Sequence, residues 1–252
     1  MIGRDPAPAW LVAAPIAHRG LHDRRASRIE NSLAAAAAAM SHRFAIECDV
    51  QRAADGEAVV FHDTDLRRLT GRCGTIHDLT GGEAAATPLD GTTDRIPSLA
   101  TLLDLVAGQV PVICEIKSRF DGDLRLADRV ADIVRAYGGP LAIKSFDPAV
   151  IRHLRQRDEG RPLGIVSEAC FEGDEWVDLG PAFRADLAAL THFSETRPDF
   201  LSFAVDDLPH AAPSLCRAGL GLPVMTWTVR DAEQRQKAAA FADQMVFEGF
   251  LP

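Results

Sequence analysis

Glu47 and Asp49 stand two residues apart within an otherwise apolar run, Phe44 to Val50. If that run is a strand, its period of two puts both carboxylates on one face, where like charges repel unless a cation joins them. Glu115 lies near the end of another apolar run, Val110 to Ile116. On an adjacent strand it completes a three-carboxylate cluster, and oxygen donors alone favour one hard divalent ion, Mg²⁺ or Ca²⁺. The competing reading is an ion-pair network with Arg19, Lys117 and Arg43. The third carboxylate tips the balance toward a metal held by Glu47, Asp49 and Glu115.

Around these acids stand groups that suit phosphoryl chemistry. His18-Arg19 offers a proton carrier and a guanidinium able to grip phosphate through two parallel hydrogen bonds. His62-Asp63, at the end of the run Ala58 to Phe61, offers a second imidazole. Cleaving a phosphodiester needs a base for the nucleophile and an acid for the departing alkoxide, and His18 and His62 can divide those roles. Lys117, two residues beyond Glu115, shares its face and can reach a phosphate oxygen. Asn31 either caps the first helix, as Ser32 also can, or faces the site. Trp227 is placed to form an apolar wall for substrate, or to fill core. His22, His42, His77, His153, His192 and His210 lack metal-ligand spacing and are read as surface or packing residues.

Something must hold these groups together at one edge. Eight short apolar runs read as strands: Pro15 to His18, Phe44 to Val50, Val110 to Ile116, Leu141 to Ser145, Pro162 to Ser167, Phe200 to Val205, Pro223 to Val229 and Asp243 to Glu248. The first belongs to a longer apolar stretch, Trp10 to Ala17, also read as strand. Helical patterns alternate with them: Ser32 to Met40, Ser98 to Ala107, Leu124 to Tyr137, Pro148 to Arg157, Phe183 to Leu190, Ala212 to Ala218 and Ala232 to Ala242. Eight alternations in one α/β chain predict a (β/α)₈ TIM barrel, whose chemistry sits where the strands end. Residues 1–252 form one domain in this reading. Residues 55–97 are too long for a simple loop and form an insertion after the second strand.

Composition narrows the partners. A formal net charge of −9 leaves no basic surface to neutralise the phosphates of a nucleic acid, but a small phosphate ester can still bind where metal and cations concentrate. The five cysteines are scattered and odd in number, which fits reduced thiols. No apolar stretch is long enough to cross a bilayer and no export signal is apparent, so the expected placement is cytoplasmic, with no stable membrane insertion. Oligomeric state is not legible.

Taken in order, HRG (18–20), EN (30–31), ExD (47–49), DG (55–56), VVFHD (59–63), LxRLTG (66–71), IPSL (96–99), EIK (115–117), SFDP (145–148) and WTV (227–229) resemble the glycerophosphodiester phosphodiesterase family, whose barrel is similar to that of phosphatidylinositol-specific phospholipases C. The resemblance implies a catalytic pair at His18 and His62, phosphate contact from Arg19, a divalent metal on Glu47, Asp49 and Glu115, and support from Lys117. It implies hydrolysis of small glycerophosphodiesters to sn-glycerol 3-phosphate and an alcohol. The alternatives are a lysophospholipid-directed phosphodiesterase and a non-catalytic barrel binding phosphorylated ligands. Two departures stand out: Ala53 where the family commonly has threonine, and Glu248-Gly249 where many members have aspartate. Both are expected to lie away from the metal.

Overall fold

Ser32 accepts a hydrogen bond from the Ala35 amide at 3.1 Å, Ser98 one from Thr101, Asp147 one from Ala149 and Asp231 one from Gln234. Each satisfies an orphan donor at a helix start. In the computed structural model, which describes residues 7–157 and 160–252, these caps open α1 (Leu33–Ser41), α4 (Leu99–Val106), α6 (Pro148–Gln156) and α10 (Ala232–Phe241). Between them lie α2 (Arg67–Thr70), α3 (Gly81–Ala86), α5 (Arg125–Arg135), α7 (Pro181–Ala188), α8 (Phe193–Thr196) and α9 (Ala211–Ser214). The alanine run of α1 buries Ala35, Ala36 and Ala39, so the helix can approach the sheet closely.

The strands are β1 (Ile16–Ala17), β2 (Ala45–Arg52), β3 (Ala58–Val60), β4 (Val112–Ile116), β5 (Leu141–Ser145), β6 (Leu163–Ser167), β7 (Phe200–Ala204), β8 (Val224–Val229) and β9 (Gln244–Phe247). All but β3 pair in parallel, in the order β1-β9-β8-β7-β6-β5-β4-β2, and β1 pairing with β2 closes the circle. This is the eight-stranded barrel the alternation predicted. The first strand is shorter than expected, because Ala9–Val12 coils into a turn of 3₁₀ helix that sets Leu11 into the core. The run ending in Phe61 also differs: β3 lies antiparallel on β2, outside the barrel's count of eight.

Side chains alternate in and out along each strand. Leu11, Ile16, Ala45, Ile113, Ala142, Phe200, Met225 and Val246 form one buried cluster near the strands' N-terminal ends. Two residues further along those strands or just past them come His18, Glu47, Glu115, Lys144, Ser202, Trp227 and Glu248. Gly164 keeps this interior open: a Cβ there would meet the Phe200 ring at 2.3 Å. A larger cluster fills the space between barrel and helices, including Val50, Leu103, Ile116, Val130 and Ile151.

Residues 55–97 carry β3, α2 and α3 and bury their own cluster, with Val59, Phe61, Leu66, Leu69, Ile76, Leu89 and Ile96 at its centre. That packing fixes the segment that ends in His62-Asp63. The turn after β1 is equally constrained. Gly20 has φ +77°, and a Cβ would come within 2.9 Å of the Ala35 backbone and side chain. Gly20→Ala combines left-handed strain with a clash against a helix that cannot shift cheaply. It is expected to lose roughly 2 kcal/mol or more, read as a lower denaturation midpoint with an unchanged m-value.

Candidate active site

Parallel register brings the predicted acids together. Asp49 on β2 stands opposite Glu115 on β4, and Glu47 opposite Ile113. Oxygens of Glu47, Asp49 and Glu115 lie within 4.8 Å of one another, and all three side chains are buried. Lys117 Nζ is 3.1 Å from Asp49 Oδ1 and 2.7 Å from Glu115 Oε1. A lysine that the sequence reading passed over, Lys144 on β5, reaches Glu47 Oε1 at 3.0 Å and Glu115 Oε2 at 2.9 Å. Burial opposes ionisation of Asp49 and Glu115, yet Lys117 and Arg19 hold the Asp49 carboxyl well below its usual range. Burial likewise works against both ammoniums, but their carboxylate neighbours hold Lys117 and Lys144 above theirs.

The ion-pair network is present, with Lys144 in place of Arg43, around a carboxylate cluster close enough to hold a metal. Their geometry separates two kinds of contact. Glu47 Oε1 and Glu115 Oε1 are buried and accept no hydrogen bond among the described residues, although an ammonium lies within ion-pair range of each. Three hard oxygen donors around a small space fit a divalent ion.

Two imidazoles flank the cage, each oriented by a carboxylate. His18 Nδ1 sits 2.5 Å from Glu248 Oε2, and His62 Nδ1 sits 2.8 Å from Asp63 Oδ1. Engaging Nδ1 leaves Nε2 of each ring for substrate. Glu248 is thus not remote from the chemistry, as its place among the departures implied. It also contacts His22 Nε2 at 3.3 Å and accepts from Arg230 Nε at 2.7 Å. His22, read from sequence as a surface or packing residue, forms with His18 and Glu248 a second group close enough to hold a metal. Burial notwithstanding, the hydrogen bonds from His18 and His22 pull the Glu248 carboxyl far below its ordinary value.

The remaining residues form a chain of charge. Arg19 reaches Glu30 at 2.6 Å and Asp49 at 3.2 Å; Arg68 bridges Glu30 and Asp63, with contacts of 2.7 and 2.5 Å. Burial would raise the Glu30 carboxyl, but hydrogen bonds and charge from Arg68 and Arg19 hold it at about 2. Asn31 lies behind Asp49: its amide donates to Asp49 Oδ2 at 2.9 Å and accepts from the Asp49 amide at 3.2 Å. Ser32, not Asn31, caps α1. Gln51, also unforeseen, donates to the His62 and Asp63 carbonyls at 2.8 and 2.7 Å and so clamps that turn to β2. Ala53 is fully buried in the cluster of the 55–97 segment.

His18, Arg19, Asp49, His62, Glu115, Lys117, Lys144 and Trp227 line one cleft of about 940 Å³. Fold and site together define a barrel enzyme with acid–base groups and anion-binding cations at the strand ends. The sequence matches the glycerophosphoryl diester phosphodiesterase family over residues 18–249, and the chain belongs to that family. It hydrolyses glycerophosphodiesters.

Solved structures agree. A Silicibacter pomeroyi protein provisionally named a glycerophosphoryl diester phosphodiesterase is 26% identical, with a TM-score of 0.73 over 92% of this chain and 88% of that one. A Thermotoga maritima glycerophosphodiester phosphodiesterase is 25% identical, with a TM-score of 0.70 over 93% and 94%. An Oleispira antarctica phosphodiesterase, solved with the product sn-glycerol-3-phosphate, shares the fold at 19% identity, a TM-score of 0.73 and coverage of 92% and 91%. Curated proteins give no match. No helix among the described residues is long and apolar enough to cross a membrane.

Proposed function

We propose that this chain cleaves glycerophosphodiesters to sn-glycerol 3-phosphate and the free alcohol in a metal-dependent reaction at Glu47, Asp49, Glu115, His18 and His62. The carrying observation is the buried carboxylate triad, two of whose members, Asp49 and Glu115, line the same cleft as both imidazoles. Mg²⁺ or Ca²⁺ suits the all-oxygen donor set and, when bound, would polarise the phosphoryl oxygens and offset charge in the transition state. The sn-glycerol-3-phosphate held by the Oleispira relative supports the assignment of product.

The chain's own residues do the rest. Arg19 and Lys117 attract the phosphodiester anion and hold it against the triad. One imidazole takes the nucleophile's proton at Nε2 while the other gives one to the departing oxygen, and Glu248 and Asp63 fix the ring orientations that make this transfer direct. Asn31 positions Asp49 rather than touching substrate, and Trp227 walls the cleft. Lys117, Lys144 and Arg19 already balance the three carboxylates. A divalent ion leaves the cluster positive, and an anionic phosphodiester reduces that excess, so metal and substrate bind cooperatively.

Five free cysteines, three of them buried, fit a reducing compartment and support cytoplasmic placement. The test of the central reading is turnover of glycerophosphodiesters with and without chelator. Activity is expected to vanish with EDTA and return with one added divalent ion, and sn-glycerol 3-phosphate to accumulate. Full activity in EDTA-treated, metal-free protein contradicts the metal reading, and absence of sn-glycerol 3-phosphate contradicts the product.

A further inference from the structure

Where the barrel closes, a second cluster of ligand atoms lies beside the carboxylate triad. β1 and β9 pair through Ala17 and Phe247, and the residue after each strand brings His18 Nδ1 to 2.5 Å from Glu248 Oε2. His22, in the turn after Gly20, brings its Nε2 to 3.3 Å from the same oxygen. Two imidazoles thus meet on one carboxylate atom, and the three ligand atoms lie within 4.8 Å of one another. Orienting His18 does not require the second ring, because Arg230 Nε holds Glu248 Oε1 at 2.7 Å and so fixes the carboxylate with Oε2 toward His18. The backbone is held as well: His18 N–H donates to the Phe247 carbonyl and His22 N–H to the Gly20 carbonyl, both at 2.9 Å, and Glu248 N–H donates to the Val229 carbonyl at 3.1 Å.

These separations suit a metal with nitrogen ligands. Two tetrahedral ligands with bonds of about 2.0 Å to one zinc ion stand about 3.3 Å apart. His22 Nε2 and Glu248 Oε2 have that separation with no ion between them. The His18 ring completes the set by backing away about 0.8 Å. Two nitrogens and one oxygen with a fourth position open favour Zn²⁺, whereas the all-oxygen triad favours the harder Mg²⁺ or Ca²⁺. The two sites therefore sort ions by softness. The His22 and Glu248 side chains are 23% and 20% exposed, so an ion can enter from solvent without opening the core. The charge of Arg230 opposes a cation, but its guanidinium is more than half exposed and is screened.

We propose that His18 Nδ1, His22 Nε2 and Glu248 Oε2 form a second cation site, selective for Zn²⁺, whose occupation switches the enzyme off. The switch rests on the reading of His18 as half of the acid–base pair; the site itself does not. A neutral imidazole bound to zinc through Nδ1 carries its proton on Nε2, so His18 can no longer accept the nucleophile's proton there. Nor can it serve as the acid, because that N–H is a far weaker acid than imidazolium. Either role is lost while the triad keeps its own ion.

The test titrates Zn²⁺ into the full chain at saturating Mg²⁺ or Ca²⁺, with glycerophosphocholine turnover as one readout and anomalous scattering from zinc-soaked crystals as the other. His22→Ala removes a ligand; His22→Gln removes it too but keeps a hydrogen-bond donor for Glu248, which separates loss of zinc from loss of that bond. Each protein is scored against its own zinc-free rate. Wild type is expected to lose its activity in a way that added Mg²⁺ or Ca²⁺ does not relieve, and to show a zinc peak among His18, His22 and Glu248. In both variants that peak is expected to vanish and the inhibitory Zn²⁺ concentration to rise roughly a hundredfold or more. Inhibition that survives in both variants, or that the harder ion relieves, overturns the switch. Absence of the wild-type zinc peak from these three residues overturns the site whatever the kinetics. A chain that hydrolyses nothing before zinc is added overturns the phosphodiester reading and the switch with it, and the peak still decides the site.

Discussion

His62→Ala is expected to lower kcat by about a thousandfold while leaving the fold and the affinity for metal intact. The imidazole is partly exposed, and among the described residues its only side-chain partner is Asp63, which Arg68 still holds after the substitution. Removing it therefore leaves no buried charge unpaired. The carboxylate triad lies on β2 and β4, away from the segment that carries His62, so metal titration should give the wild-type constant. Asp63→Asn offers a graded companion: the ring remains but its orientation is no longer enforced, and a smaller loss in kcat is expected. Steady-state kinetics with glycerophosphocholine measures both. Unchanged turnover in His62→Ala removes His62 from the acid–base pair.

Glu115→Gln has the other large effect, and it acts on binding and stability at once. Among the described residues Glu115 is the one acid that touches both Lys117 and Lys144, at 2.7 and 2.9 Å. Loss of a direct carboxylate ligand should exceed the 10–100-fold penalties of disturbing an outer-sphere partner, so metal binding is expected to weaken roughly a hundredfold or more. At the same time Lys117 and Lys144 each lose one of two carboxylate partners and keep Asp49 and Glu47 respectively, so the stability cost should stay below the about 3–5 kcal/mol of leaving a buried charge wholly unpaired. Calorimetric titration with Mg²⁺ or Ca²⁺ reads the first effect and denaturant unfolding of metal-free protein the second. Weak metal binding with wild-type stability would show that Lys144 is not held by this cage. Wild-type affinity would remove Glu115 from the ligand set.

Much of this was legible before the structure. The barrel followed from eight apolar runs alternating with helical patterns, and the strand boundaries differ from the expected ones by at most a few residues. The carboxylate cage followed from period two alone, because Glu47, Asp49 and Glu115 could share one face only if β2 and β4 are neighbours, as they are. Lys144 was missed although the same rule points to it. It follows Ala142 by two residues on a strand that is otherwise apolar, so it shares the inward face. A single lysine in Leu141 to Ser145 reads as strand noise until register places it beside Glu115.

Period two aims Glu248 and Gln51 inward but does not name their partners, and His22 lies outside it. Glu248 meets His18 across 230 residues of sequence, through the closure of β9 on β1. Local pattern carries no trace of such closure. Gln51 clamps the His62 turn from an inward position on β2, an effect of the β2–β3 hairpin, and that antiparallel pairing was hidden in a segment set aside as an insertion. The expectation of a first strand from Trp10 to Ala17 failed for a simpler reason. Apolar character there serves a 3₁₀ turn that plugs the barrel with Leu11, and composition alone cannot separate a plug from a strand.

The mechanism turns on a single cation held by three acids between two imidazoles. Crystals soaked in Mn²⁺, a hard ion with a usable anomalous signal, test it most directly. One anomalous peak is predicted, within bonding distance of Glu47, Asp49 and Glu115. A peak instead among His18, His22 and Glu248, or none at a manganese concentration that supports turnover, contradicts it.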